Sequence, residues 1–455
     1  MNPLRLLLPA LIVLLGALLS GHAAPAGAEA LLLITGDQHS AYERTAQLVA
    51  TVDRLKAENP GLPLAVLLDG DTMEYGNIVA RRSAGAVDFA MFAALAARVP
   101  TLLNLGNHEP EFYALEDTVR RVEATGVKVV SNIVNRATNR PFAPASALLP
   151  LGRATAVVVG LTTDRLSTYR VAVRPSLDLA NPVVWAKRNF PELLAAAPLR
   201  IVLSHAGVAA DREMLGLVPV GTLFAGAHDH LRFVQPLGRT VYFHSGSWNE
   251  HLSLAWLCRD PAGAPRWVVE QIKIAADGPA DPALAALIRE TKARHLTPED
   301  TAVIGSVATA MSTAEAAKFA AAALRGAAGV DAAFIGNTTF GAGLPAGGVT
   351  RAEFDACVRF DGPVFTAEVD GARLAQLLAA ANQGPETPFE QRRGEFSFAA
   401  GPAAVDPAKT YRIATTDWGA KNTARYFGEP AIAWREQPAL KLKAAVRGAL
   451  GAAPR

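Results

Sequence analysis

LLITGDQHS, Leu32–Ser40, sets a Gly-Asp pair and a histidine directly behind an apolar run. Alone, Gly-Asp marks a turn. An aspartate and a histidine two residues apart at a strand end also make half of a metal site. Short apolar runs recur through the first half of the chain: LLLIT, LAVLLD, TLLNL, VKVVSN, AVVVGL, IVLSH, LFAGA and TVYFHS. Helical patterns such as YERTAQLVATVDRLKAEN and VDFAMFAALAARV lie between several of them. Fully apolar strands separated by helices predict a layered α/β domain with its sheet covered on both faces. Ligands of such sheets bind beyond the carboxyl ends of the strands.

At those ends stand GDQH (Asp37, His39), GD (Asp71), GNHE (Asn107, His108), SH (His205) and GAHDH (His228, His230), and most of the chain's histidines lie in these motifs. Each has a plain reading as a turn, a cap or a surface pair. Their succession on strand ends favours a shared site. Imidazole, carboxylate and one amide carbonyl, without thiolate, suit divalent Mn, Fe or Zn at a hydrolytic centre.

The wider composition agrees with a folded enzyme. Half of the 455 residues are hydrophobic and 19% are charged, which excludes a disordered chain. A formal net charge of +2 with no basic run gives no footprint for a nucleic-acid polymer, so a small-molecule partner is expected. Residues 1–26 read as a secretory signal peptide: Arg5, an apolar stretch Leu6–Leu19, then small residues. The stretch is shorter than the ~20 residues that span a bilayer. Export, with a periplasmic destination, cleavage after Ala23 or Ala26 and no membrane contact afterwards, is the expectation. Cys258 and Cys357 are too few for a disulfide framework. A bridge would tie the two halves together, and buried thiols are the simpler expectation. Residues 30–275 form the predicted first domain, 276–296 a linker helix and 297–450 a second, smaller α/β domain.

The order DxH, GD, GNH, a later His and GHxH resembles the calcineurin-like metallophosphoesterases, and among them the two-domain 5'-nucleotidase family. VVSNI (129–133), VVGLTT (158–163), LSHAGVAAD (203–211) and FHSGSW (243–248) extend the likeness. So do IGSVATAM, LPAGGVTRAEF and VDGARLAQLL in the second half. The resemblance implies a four-layer αββα sandwich followed by the 5'-nucleotidase type of C-terminal domain. It implies two divalent cations, one on Asp37, His39 and His230, the other on Asn107, His205 and His228, with Asp71 bridging. Water activated there would attack a phosphate ester, most simply a nucleotide, in a monomeric enzyme. His108 would stabilise the phosphoryl charge or the leaving oxygen. In the family an Asp three residues later orients this His; the chain reads NHEPE, so Glu111 stands in that place and is the second catalytic candidate.

Substrate recognition departs from the family pattern. Where an NxGGIR-like loop is expected stands GNTTFGAGLP, which keeps Asn337 and offers Phe340 but no arginine. YRIATTDWGAKNTARYF places Trp418 and Tyr426 as aromatic candidates, with Lys421 or Arg425 as substitute cations. The altered loop leaves three alternatives to a nucleotidase: a cyclic-nucleotide or nucleotide-sugar phosphodiesterase, a sulfur-ester hydrolase, or a binding module without turnover. A complete metal set argues against the last.

Overall fold

The computed structural model describes residues 24–451. The first 23 residues, and with them most of the signal segment, lie outside the described residues. No helix among the described residues is long and apolar enough to cross a membrane.

The first half holds two six-stranded sheets. In one, β1 (Ala30–Gly36), β2 (Leu64–Asp69), β3 (Thr101–Asn104) and β4 (Lys128–Val130) run parallel, and the antiparallel strands His251–Arg259 and Pro265–Lys273 extend it beyond β1. In the other, Ala154–Thr162, Leu199–His205, Leu223–Gly226 and Thr240–Ser245 run parallel between antiparallel edges Ser146–Leu151 and Arg232–Leu237. The sheets pack face to face. Leu32, Ile34 and Leu67 of the first meet Val158, Ile201 and Phe243 of the second in one buried cluster. Leu31 and Leu33 point the other way, into a cluster with Leu48, Val49 and Val52 of the helix Tyr42–Glu58. Alternate residues of a strand face opposite sides, so a strand covered by a sheet on one side and helices on the other must be apolar throughout. The same run would suit a single sheet covered by helices on both faces, which is why patterning alone does not separate the two.

Register brings the strand ends into line. Gly36 pairs with Asp69 and Asp69 with Asn104 in the first sheet, and Ser204 pairs with Gly226 in the second. Asn104 ties the sheets together at that edge, its Nδ2 donating to Asp69 Oδ1 (2.8 Å) and to the carbonyls of Leu161 (2.9 Å) and Leu203 (3.1 Å).

The helix Pro282–His295 begins at the Asp281 N-cap, whose carboxylate accepts from Leu284 N at 2.7 Å. Leu284 and Ile288 bury it against the helices of the first half. Beyond it, five strands form a mixed sheet in the order Ser397–Ala400, Ala332–Gly336, Thr410–Thr416, Pro363–Asp370, Arg435–Lys441. The helix Thr313–Ala328, with a Ser312–Glu315 capping box, packs its alanines against this unit. One hydrophobic cluster runs from Val202, Phe224 and Tyr242 on the outer face of the second sheet to Phe340, Phe396 and Ala414 of the second half. Both cysteines are buried and free.

Candidate metal centre

The five strand-end motifs converge. Three overlapping groups, Asp37/His39/His230, His39/Asp71/His108 and Asp71/His205/His228, each hold their ligand atoms within 4.8 Å of one another. Asp37, His39, Asp71, His228 and His230 all lie at positive φ, between 47° and 78°. Non-glycine residues seldom adopt this region, and its clustering marks backbone bent to aim side chains. The glycines of GD and GN make room. A Cβ on Gly70 would stand 2.5 Å from His205 Nδ1, and one on Gly106 would run into the Asp71 carboxylate.

The remaining hydrogen bonds set the donors' directions. His205 Nδ1 donates to the Asp69 carbonyl at 2.7 Å, which leaves Nε2 turned towards Asp71 Oδ2, 3.0 Å away. Asp37 accepts from the His228 amide at 3.0 and 3.1 Å. The Nε2 atoms of His39 and His230 face each other at 2.9 Å. Asn107 Oδ1 and His228 Nδ1 are buried without a hydrogen-bond partner. Buried polar atoms are rarely left so. Unpartnered imidazole and amide donors around carboxylates, with no thiolate, fit a divalent cation pair.

Electrostatics agree. Burial holds His39 down to about 4 and depresses His228 and His230, keeping these rings in the neutral form that binds metal. Burial raises Asp37, helped by Asp71 and Asp69. For Asp71 burial acts the same way but is outweighed by His205 and His108, so it stays ionised. His108 is lowered by burial but pushed up further, to about 10, by Asp71, Glu111 and Glu74. A cation charge on Asp71 opposes that rise.

His108 is the more open group, its side chain 18% exposed, and its Nδ1 lies 2.7 Å from Glu111 Oε1. That contact is an ion pair more than a linear hydrogen bond, because His108 Nδ1 has no aligned acceptor. The longer Glu111 nevertheless reaches the ring, and Pro110 sits in the single 3-10 turn that brings it there.

Several residues that the motifs leave unassigned complete the site. Glu109, the last letter of GNHE, accepts from the amides of Asp71 (3.0 Å), Thr72 (2.8 Å) and Gly106 (2.6 Å), clamping two ligand loops together. Glu74 Oε2 lies 3.3 Å from His39 Nδ1 and pairs with Arg359, both side chains 4% exposed. Arg359 comes from the second half, and its guanidinium also lies over Trp248, 5.4 Å from the ring centroid. Trp248 in turn stacks on His39 at 4.9 Å. Glu74 is close enough to GD for a local signal. Nothing near Arg359 in sequence points to the metal loops.

The second-half candidates separate. Asn337 Nδ2 donates to the carbonyls of Asp229 (3.1 Å) and Gly394 (3.3 Å), joining the halves beside the histidine pair. Phe340 is fully buried and meets Phe398 edge-on at 6.0 Å, so it offers a ligand no surface; the sequence reading of it as a substrate contact gives way to core packing. Trp418 is 40% exposed, its Nε1 donating to Tyr426 OH at 3.2 Å, while Tyr426 is buried. Lys421 is paired with Asp417.

Residues 30–232 match the family model for the calcineurin-like phosphoesterase, and residues 295–399 that for the 5'-nucleotidase C-terminal domain. The chain thus carries a calcineurin-like phosphoesterase domain followed by a 5'-nucleotidase C-terminal domain. Among solved structures it is similar to a 5'-nucleotidase precursor from Thermus thermophilus (18% identity, TM-score 0.61, 92% of this chain and 96% of that one). It is also similar to the sulfate thiohydrolase SoxB of the same organism (16%, 0.65, 95% and 96%). A third is the NAD nucleotidase of Haemophilus influenzae (14%, 0.50, 92% and 95%). At these identities the likeness is one of fold. No curated protein matches the sequence.

Proposed function

We propose that the protein is an exported phosphohydrolase with two divalent cations, acting on a nucleotide or related phosphate ester. The observation that carries this reading is the set of three overlapping donor groups, in which His39/Asp71/His108 links Asp37/His39/His230 to Asp71/His205/His228. Asp37, His39 and His230 would hold one cation and Asn107, His205 and His228 the other, with Asp71 within reach of both. When bound, such a pair would supply Lewis-acid charge to phosphoryl oxygens and lower the pKa of water towards neutrality. His108, protonated and backed by Glu111, places positive charge and a proton beside the departing oxygen. The strand-end loops fix the geometry, and Glu109 keeps two of them in step. Trp418 presents an open indole face for an aromatic leaving group. The apolar segment before Ala23 is the export signal.

Names of similar structures extend the range to test: NAD and a sulfur ester join nucleoside monophosphates. In the direct experiment, manganese-loaded protein should release nitrophenol from nitrophenyl phosphate and bind about two equivalents of metal per chain by elemental analysis. Absence of hydrolysis across aryl, nucleotide and sulfur esters with both metal equivalents bound would leave only the binding-module reading. Trp418→Ala should raise the Michaelis constant for nucleotides about tenfold and spare the aryl ester. An equal effect on both substrates would assign Trp418 to packing.

A further inference from the structure

Where the second half meets the metal loops lies a cleft of 240 Å³, and its lining includes Arg165, Arg212, Arg392, Arg393 and Arg425. Its acidic lining is Asp229 and Glu395 alone. The cleft adjoins the metal centre: Ala206 and Gly207, which directly follow His205, line it, and so does Asp229, between His228 and His230.

Two of the arginines are structural. Arg212 donates to the Phe389 carbonyl and lies over that ring at 4.8 Å. Arg392 donates to the carbonyls of Gly384 (3.1 Å) and Pro385 (2.5 Å) and covers Phe233 at 4.5 Å. Of the other three, Arg165 and Arg425 are 32% and 42% exposed. Arg165 and Arg425 share the one carboxylate of Glu395, at 2.7 and 3.2 Å. Arg393 is exposed, and Gln383 holds its backbone, Oε1 accepting from the amide at 2.8 Å and Nε2 donating to the carbonyl at 3.2 Å. Asp229 accepts from the Val208 amide at 2.6 Å. Arginines therefore outnumber carboxylates along the lining five to two, and Arg165, Arg393 and Arg425 come from the segments after Thr162, before Phe396 and after Asn422. The loop GNTTFGAGLP supplies no arginine, and its Asn337 instead pins the cleft walls at Asp229 and Gly394.

Guanidinium groups in surplus within a cavity recognise phosphate-like anions. We propose that this cleft is a subsite for a second anionic group of the substrate, so that the preferred ester is one whose leaving alcohol carries its own phosphate, as in a nucleoside bisphosphate. The proposal rests on the phosphohydrolase reading. In the step itself water adds its oxygen to the phosphorus, the bond from phosphorus to the ester oxygen breaks, and that oxygen takes the proton. The second phosphate leaves on the released alcohol, still held by Arg165, Arg393 and Arg425.

The test compares kcat/KM for adenosine 5'-monophosphate and adenosine 3',5'-bisphosphate in the manganese-loaded full chain. Wild type should prefer the bisphosphate about tenfold or more, and Arg393→Glu or Arg425→Glu should each cut that preference about tenfold, through KM. A parallel calorimetric titration uses methylenebisphosphonate, which is not hydrolysed; its affinity should fall in both variants. Both esters cleaved equally, with bisphosphonate affinity indifferent to the charge reversals, would overturn the subsite and leave the hydrolase intact. Arginine-dependent bisphosphonate binding without turnover of any ester would keep the subsite and overturn the hydrolase.

Discussion

The metal centre and the arginine cleft beside it are built in opposite ways. Asp37, His39, Asp71 and His205 are at most 2% exposed, and each is aimed by a strand end, a bent backbone or a hydrogen bond from the next loop. Arg165 and Arg425 are 32% and 42% exposed, and they reach a shared carboxylate on long flexible stems. Donors that must stand at fixed separations gain from burial, because a displaced ligand loses its cation. Groups that meet a variable leaving group gain from reach and solvent contact. The buried donor groups are thus hard to alter piecemeal, whereas the exposed arginines can change residue by residue.

This contrast predicts a gradient of effects. At its top, Asp71→Asn should lower kcat by about 1000-fold or more and remove cation from the centre, read by elemental analysis; near-normal turnover would break the bridging role. His108→Ala should cost about 100- to 10,000-fold in kcat with both cations retained, and Glu111→Gln about tenfold. Loss of metal in His108→Ala would make that residue a ligand instead. Arg359→Ala tests whether the recognition half supports the rigid half. It leaves the Glu74 carboxylate behind His39 unpaired, so metal affinity against a chelator should fall about 10- to 100-fold. Unchanged affinity would confine the ion pair to holding the halves together.

The smallest effect concerns the cost of burying charge in the rigid half. Burial raises Asp88, whose carboxyl accepts from Tyr42 OH at 2.7 Å, to about 7. In the unfolded chain the group titrates near its ordinary value. Between about pH 4 and 7 the folded state therefore binds more protons, and stability falls as pH rises through that window. Asp88→Asn should remove that part of the fall, on the order of 1–2 kcal/mol, seen as a smaller difference in melting between pH 5 and 8. An undiminished difference would mean that Asp88 ionises freely in the fold.

Much of the first domain was legible because its information is local. Each apolar run became a strand, and the helix Pro282–His295 lies within the expected linker segment 276–296. The candidate donors carry a local signal, a strand end with a glycine nearby that clears space, and three groups of them lie together. Phe340 was misread because a loop aromatic beside a lost motif looks like a stacking face, while its actual neighbours, among them Phe398, lie far along the chain. Arg359 was overlooked for the same reason, since its partner Glu74 stands 285 residues away.

From the sequence alone came the apolar strands, the order of the motifs and the chemical types of the candidate donors, all of which depend on neighbours within a few residues. Only the tertiary structure decided that two sheets face each other, that Glu111 reaches His108 and that Arg359 backs Glu74. It alone gathered Arg165, Arg393 and Arg425 at one opening. These facts arise where surfaces from distant segments are buried together, and burial sets both which charges must be paired and which are left to meet a ligand.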